Sequence, residues 1–185
     1  SQLGFEPISD AALKQFVGPP PVEMYQKVYN ISKESAVEAA HYHRTYGREK
    51  AIFEAEVYCG IEEGLRELQQ KGKWLGVVTL KAEDIAQTVL KNYKIANFFS
   101  EIIGMNAEES LTKADLIRKV IKLLSVDKKQ VVLVGDSIYD YEGAREAGVD
   151  FIPVLYGFGF SSQAEFEGKQ VADIICNPSE IGRIR

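Results

Sequence analysis

Cysteine is scarce in this chain: Cys59 and Cys176 are the only two among 185 residues. Two such residues suggest neither a disulfide framework nor a zinc site, and a reducing cytoplasm is the expected setting. Long apolar runs are missing as well. None approaches the roughly 20 residues of a membrane-spanning helix, and no signal peptide opens the sequence, so no membrane partner is expected. Nor is there an excess of positive charge. The formal net charge is −5, from 22 Lys and Arg against 27 Asp and Glu, which gives no general reason to bind nucleic acid. Any polyanionic ligand needs a local positive site. Internal repeats and low-complexity tracts are absent. What the chain does have is apolar content: 45% of its residues are hydrophobic, enough for one core, or one core with a small attachment.

The pattern of that apolar content divides the chain. Residues 1–56 read as helical throughout, with a short helix over Asp10–Phe16, a second over Val22–Tyr29, and a third that Ser32 caps and that runs to about Tyr46. The "GPPP" stretch from Gly18 to Pro21 breaks the first from the second. Residues 57–185 alternate. Ile61, Leu65 and Leu68 share one helical face, and Gly72 closes that helix. Apolar strands follow at Trp74–Leu80, "EIIGM", "QVVLVG", "FIPVLY" and "ADIICN". Helices lie between them, over Ile85–Tyr93, "KADLIRKVIKLL" and "YEGAREAGV". Strands without polar alternation, spaced by helices, predict an α/β core with a parallel sheet covered on both faces. The active crevice of such a sheet lies beyond the strand C-termini.

The residues at those tips are chemical. Thr79 ends one strand, Lys113 starts a helix, and Asp136 ends "QVVLVG" with Asp140 four positions on. A hydroxyl and an ammonium suit a phosphate. A carboxylate pair suits Mg²⁺, which takes one or two protein oxygens and completes its shell with water and phosphate oxygen.

Strand-Thr, then Lys at a helix start, then strand-Gly-Asp-x-x-x-Asp resembles motifs two, three and four of the haloacid dehalogenase (HAD) superfamily. The helical region ahead resembles the small helical cap of its first subfamily. "FVGPP", "FEAEVYCGI" and "GDSIYDYEGAREAGVD" are most similar to the phosphoglycolate phosphatase-like branch. The resemblance implies a HAD-like Rossmannoid parallel-sheet core, residues 57–185, with an all-helical cap, residues 1–56. It implies a Mg²⁺-dependent phosphatase acting on a small phosphorylated metabolite. Thr79, the backbone N–H of Leu80 and Lys113 would bind phosphate, and Asp136 and Asp140 would hold the metal. Two positions depart from the family's pattern: "YPGI" reads "YCGI", and the Ser or Asn after the motif-two Thr is Leu80.

The resemblance also implies an Asp-x-Asp in motif one, whose first carboxylate attacks phosphorus and whose second moves the proton. The aspartates here are Asp10, Asp84, Asp115, Asp127, Asp136, Asp140, Asp150 and Asp173, and no two have that spacing. Family members place motif one on a strand ahead of the cap, so the catalytic pair is expected upstream of Ser1. That strand sits centrally in the family fold, and its removal would open a gap of roughly 10 Å in the sheet.

Other readings compete. A HAD-like protein without motif one could serve as a binding or regulatory module. A receiver domain also uses strand-end Asp, Thr and Lys with Mg²⁺, but places its acidic residues first. A dehalogenase needs no Mg²⁺, against which two motif-four carboxylates count. Asp140 has a second role open to it, as a helix cap. His41 and His43 are two apart and point to different helix faces, so they read as structural or solvated, as do Arg44 and Arg48. "GFGF" at Gly157–Phe160 lacks the spacing of a dinucleotide fingerprint. Tyr93, Phe98 and Phe99 read as core.

Overall fold

The computed structural model describes residues 5–9, 20–106 and 110–184. The chain forms two compact units, Ser1–Ala55 and Glu56–Arg185.

In the first unit two helices pack against each other: α1 (Pro21–Tyr29) and α2 (Lys33–Glu49). Pro21 stands in the first turn of α1, where a missing N–H costs nothing. Ser32 caps α2, its hydroxyl accepting from the Ser35 N–H at 3.2 Å. Ala36, Ala39 and Ala40 are buried on α2, and Met24 is buried on α1. Small side chains at that spacing let the helix axes approach closely. Helix α2 runs three residues past the expected end at Tyr46, because Thr45, Tyr46 and Gly47 carry no stop signal strong enough to break it. The expected helix over Asp10–Phe16 lies outside the described residues.

The second unit alternates helix and strand. Helix α3 (Ile61–Gln70) buries Leu65 and Leu68 and ends at Gly72, whose φ of 73° suits the left-handed exit. Strand β1 (Gly76–Ala82) leads into α4 (Glu83–Asn92), β2 (Glu101–Met105), α5 (Lys113–Leu124), β3 (Val132–Gly135), α6 (Ile138–Ala147) and β4 (Asp150–Pro153). Strand β1 starts two residues later than the sequence predicts. Trp74 is 68% exposed and belongs to the preceding loop, so its apolar character misplaced the boundary. "ADIICN" forms no strand: only Ile175 pairs, in a parallel bridge to Val154. Tyr93, Phe98 and Phe99 are half-buried, not core.

The strands form two parallel pairs. Strand β1 pairs with β2, and β3 pairs with β4 in unbroken register from Val132↔Asp150 to Gly135↔Pro153. Strands β1 and β3 do not pair, and among the described residues no strand lies between them. One consequence is visible in burial. In β4, Phe151, Ile152 and Pro153 are buried, whereas all four residues of β3 are only half-buried. An apolar strand with one uncovered edge cannot reach the burial its composition suits.

Helices α5 and α6 hold the two pairs together. Helix α5 packs on β1 and β2, α6 packs on β3 and β4, and the two helices pack on each other. One cluster, including Ala114, Ile117, Ala144 and Phe151, has Val78 of β1 and Leu133 of β3 packed against it. The apolar layer is therefore continuous across a sheet whose hydrogen-bonded ladder is not.

Candidate functional site

Lys113 is the hub. Thr112 caps α5, its hydroxyl accepting from the Asp115 N–H while Asp115 accepts in return. This capping box fixes where the helix starts and so where Lys113 projects. The Lys113 ammonium donates to the Val78 carbonyl at 2.9 Å and pairs with Asp140 Oδ1 at 2.7 Å. Its side chain is 12% exposed and that of Asp140 is 10% exposed. One cation thus joins Val78, in the middle of β1, to the first turn of α6.

Asp140 is fully engaged. Its Oδ2 accepts from the Ser137 hydroxyl at 2.6 Å and the Ser137 N–H at 3.1 Å. Its Oδ1 takes Lys113. Ser137 and Asp140 form the capping box of α6, and a negative carboxylate also suits the positive end of the helix dipole. The capping role that the sequence left open for Asp140 is present in full.

Asp136 follows β3 directly. Its Oδ2 accepts from the Phe158 N–H at 2.7 Å and, at 3.4 Å, from the Gly159 N–H. Its own carbonyl accepts from the Phe160 N–H at 2.8 Å. No hydrogen bond reaches Oδ1 among the described residues. Tyr156 lies near enough to register the Asp136 charge. Its phenol is pushed up to about 12, first by burial, then by Tyr58 and then by Asp136. Tyr58 meets Tyr156 edge-on with ring centroids 5.2 Å apart.

Thr79 and Leu80, both half-buried, lie in the last four residues of β1. The Thr79 hydroxyl accepts from the Lys81 N–H at 3.1 Å. Its proton remains available for a further acceptor.

The structure brings Lys113, Asp140 and the Val78 carbonyl of β1 into direct contact, and puts Asp136 just past the end of β3. Sequence reasoning missed Ser137, which links Asp140 to its helix, and the Phe158 and Gly159 amides that hold Asp136. The first carried a signal, since Ser-x-x-Asp at a helix start is a capping pattern. The second involves main-chain groups and carried none.

The donors fit a hard cation in a limited way. Asp136 offers Oδ1, but both Asp140 oxygens are committed, and no group of three or more His, Cys, Asp or Glu suited to a metal occurs among the described residues. Mg²⁺ can bind through one or two carboxylates plus substrate oxygens, so Asp136 suits it as one donor of a set.

Rossmann-like strand pairs with a Thr, a helix-start Lys and a strand-end Asp at their tips define a HAD-type hydrolase core, and the comparisons agree. Residues 1–154 match the haloacid dehalogenase-like hydrolase family, to which the chain belongs. It is 30% identical over 160 residues to a 5'-nucleotidase of Pseudomonas aeruginosa, covering 86% of this chain and 72% of that one. It is 27% identical over 180 residues to the tyrosine-protein kinase PtkA of Mycobacterium tuberculosis, covering 97% of this chain and 60% of that one. Identity is 27% over 166 residues to a phosphoglycolate phosphatase of Neisseria meningitidis, covering 85% of this chain and 70% of that one. A solved structure of a predicted phosphatase from Clostridium acetobutylicum matches with a TM-score of 0.89 and 32% identity, over 98% of this chain and 84% of that one.

Proposed function

We propose that the protein is a Mg²⁺-dependent phosphatase of the phosphoglycolate phosphatase-like branch, acting on a small phosphomonoester. The observation that carries this is Lys113 joining the Val78 carbonyl, one residue before Thr79, to the Asp140 carboxylate, four residues after Asp136. In this reading the Thr79 hydroxyl and the Leu80 N–H donate to phosphate oxygens, and the Lys113 ammonium neutralises their charge. Asp140 orients Lys113 through its ion pair. Asp136 holds Mg²⁺ through Oδ1, and the bound ion supplies neutralisation of the charge that builds on the transferred group. The nucleophile and its proton-transfer partner are the Asp-x-Asp carboxylates of a strand upstream of Ser1. The edges of β1 and β3 that are unpaired among the described residues support a place for that strand between them. Residues 1–56 act as the cap and select the substrate, in the cytoplasm.

The second reading is a non-catalytic HAD-like binding or regulatory protein. It is favoured by the lack of any Asp-x-Asp in residues 1–185. A phosphomonoester panel with and without Mg²⁺, run on residues 1–185 and on the gene product with its upstream segment, separates the two. Mg²⁺-dependent turnover by the longer protein alone is expected. No turnover by either supports the second reading, and turnover by residues 1–185 alone would mean that the nucleophile lies elsewhere.

A further inference from the structure

The geometry points to the loop Gly157–Phe160 as a positioning element that locks Asp136 as a one-oxygen ligand, presenting Oδ1 and withholding Oδ2. This rests on the reading of Asp136 as a metal donor.

Three main-chain amides in succession converge on one residue. The Phe158 and Gly159 N–H groups donate to Oδ2, and the Phe160 N–H donates to the Asp136 carbonyl. Hydrogen bonds to an ionised carboxylate are among the strong ones, and amides in a fixed loop restrict its rotation. The two glycines make the approach possible. A Cβ on Gly157 would meet the Asp136 Cβ and Oδ2, and a Cβ on Gly159 would meet the Asp136 carbonyl oxygen. Neither glycine has a φ in the left-handed region that favours glycine, so close approach, not backbone conformation, is what requires them. Phe160 anchors the loop in the core. Phe160 is 6% exposed, with its ring edge-on to Phe166 at 4.7 Å and to Phe151 at 6.3 Å. Phe158 is 61% exposed. The core therefore holds Phe160, Phe160 holds the loop, and the loop holds Oδ2. Amide-bound Oδ2 is turned away from bidentate coordination. Groups that orient a metal ligand in this way typically change affinity by about 10–100-fold when removed.

The test uses the full-length gene product and three readouts: Mg²⁺ affinity by calorimetry, thermal unfolding in EDTA, and the ¹H–¹⁵N resonance of the Phe158 amide without metal. Gly157→Ala and Gly159→Ala should weaken Mg²⁺ binding by about tenfold or more. Gly72→Ala is the control. Its backbone is left-handed with open space around the new Cβ, so it should lower the melting temperature and leave Mg²⁺ affinity at the wild-type value. Asp136→Ala should abolish Mg²⁺ binding and shift the Phe158 amide proton upfield. Folded Gly157→Ala and Gly159→Ala proteins with wild-type Mg²⁺ affinity would overturn the inference. If those variants do not fold, the amide decides: a Phe158 resonance unmoved by Asp136→Ala overturns it, and a large upfield shift upholds it. Wild-type Mg²⁺ affinity in Asp136→Ala would instead remove the metal role of Asp136, with the amide shift still reporting whether the loop holds the carboxylate.

Discussion

The tip of β1 and the tip of β3 differ in how firmly their functional groups are held. At the β3 tip, Asp136 receives two amides on one oxygen, and Asp140 has both oxygens bonded. Toward the end of β1, the Thr79 hydroxyl meets, among the described residues, the amide two residues on, and Leu80 offers a main-chain N–H. The difference follows from what each tip would bind. A carboxylate near a cation gains from being fixed before the ligand arrives, since reorganisation would cost affinity. Donors to a phosphate can complete their bonds on the phosphate itself. Lys113 couples β1 to the β3 side, through the Val78 carbonyl on one and Asp140 on the other. Variants on each side of that bridge therefore test whether fixed and open tips have separate duties.

The largest effect is expected from Asp136. In a protein that carries the Asp-x-Asp strand proposed above, Asp136→Ala should lower Mg²⁺-dependent kcat/KM by at least about a hundredfold, a loss typical of one electrostatic contributor. Thr79→Val, at the open tip, should act mainly on KM. Equal kcat losses in both, measured on one phosphomonoester, would mean that the tips do not divide the work.

Next in size is the bridge. Lys113→Ala leaves Asp140 about nine-tenths buried without its cation. Removing one partner of a buried pair costs about 3–5 kcal/mol. Lys113→Ala should therefore lower the urea midpoint strongly, and Asp140→Asn in the same protein should recover much of the loss. A Lys113→Ala protein as stable as wild type would show that water already reaches the pair.

A smaller loss is expected from the caps. Ser137→Ala removes the hydroxyl that donates to Asp140 Oδ2 at 2.6 Å and accepts from the Asp140 N–H. It should cost about 1–2 kcal/mol. Thr112→Ala, at the more exposed box on α5, should cost less. Chemical denaturation of both ranks them, and the reverse order would place the more sensitive cap on the β1 side.

Much of this arrangement was legible beforehand, for identifiable reasons. "EIIGM" and "KADLIRKVIKLL" match β2 and α5 residue for residue, because one is a short apolar run and the other an amphipathic repeat with its apolar residues on one side. Thr79, Lys113, Asp136 and Asp140 stood out by their order along the chain, strand-Thr, then helix-start Lys, then strand-Gly-Asp-x-x-x-Asp, since each alone also suits a cap or a turn. What stayed hidden depends on distant chain segments. "ADIICN" has the composition of a strand, yet only Ile175 finds a neighbour to pair with, and composition cannot report the absence of a partner. "GFGF" reads as a glycine-rich loop, and nothing local says that its amides turn to a carboxylate more than twenty residues earlier.

The finest test of the fixed tip is a proton that Asp136 helps to retain. Burial, first of all, pushes the Tyr156 phenol up to about 12 in the folded chain, against about 10 for a free tyrosine. Between those values the folded protein keeps a proton that the unfolded chain has released. Stability must then fall as pH rises across that window, since the unfolded state binds fewer protons there. Below pH about 10 the contribution is fully present, and above about 12 it is gone. Tyr156→Phe should flatten that part of the stability–pH curve without moving the neutral-pH midpoint much. Asp136→Ala should lower the folded value slightly, and less than any change that opens the site to water, because burial is the leading cause and Asp136 the third. The ¹³Cζ resonance of Tyr156, followed with pH, separates it from the eight other tyrosines. A Tyr156 titration unchanged by Asp136→Ala would place the carboxylate's charge away from the ring. The fixed tip would then end at the Phe158 amide instead of extending to Tyr156.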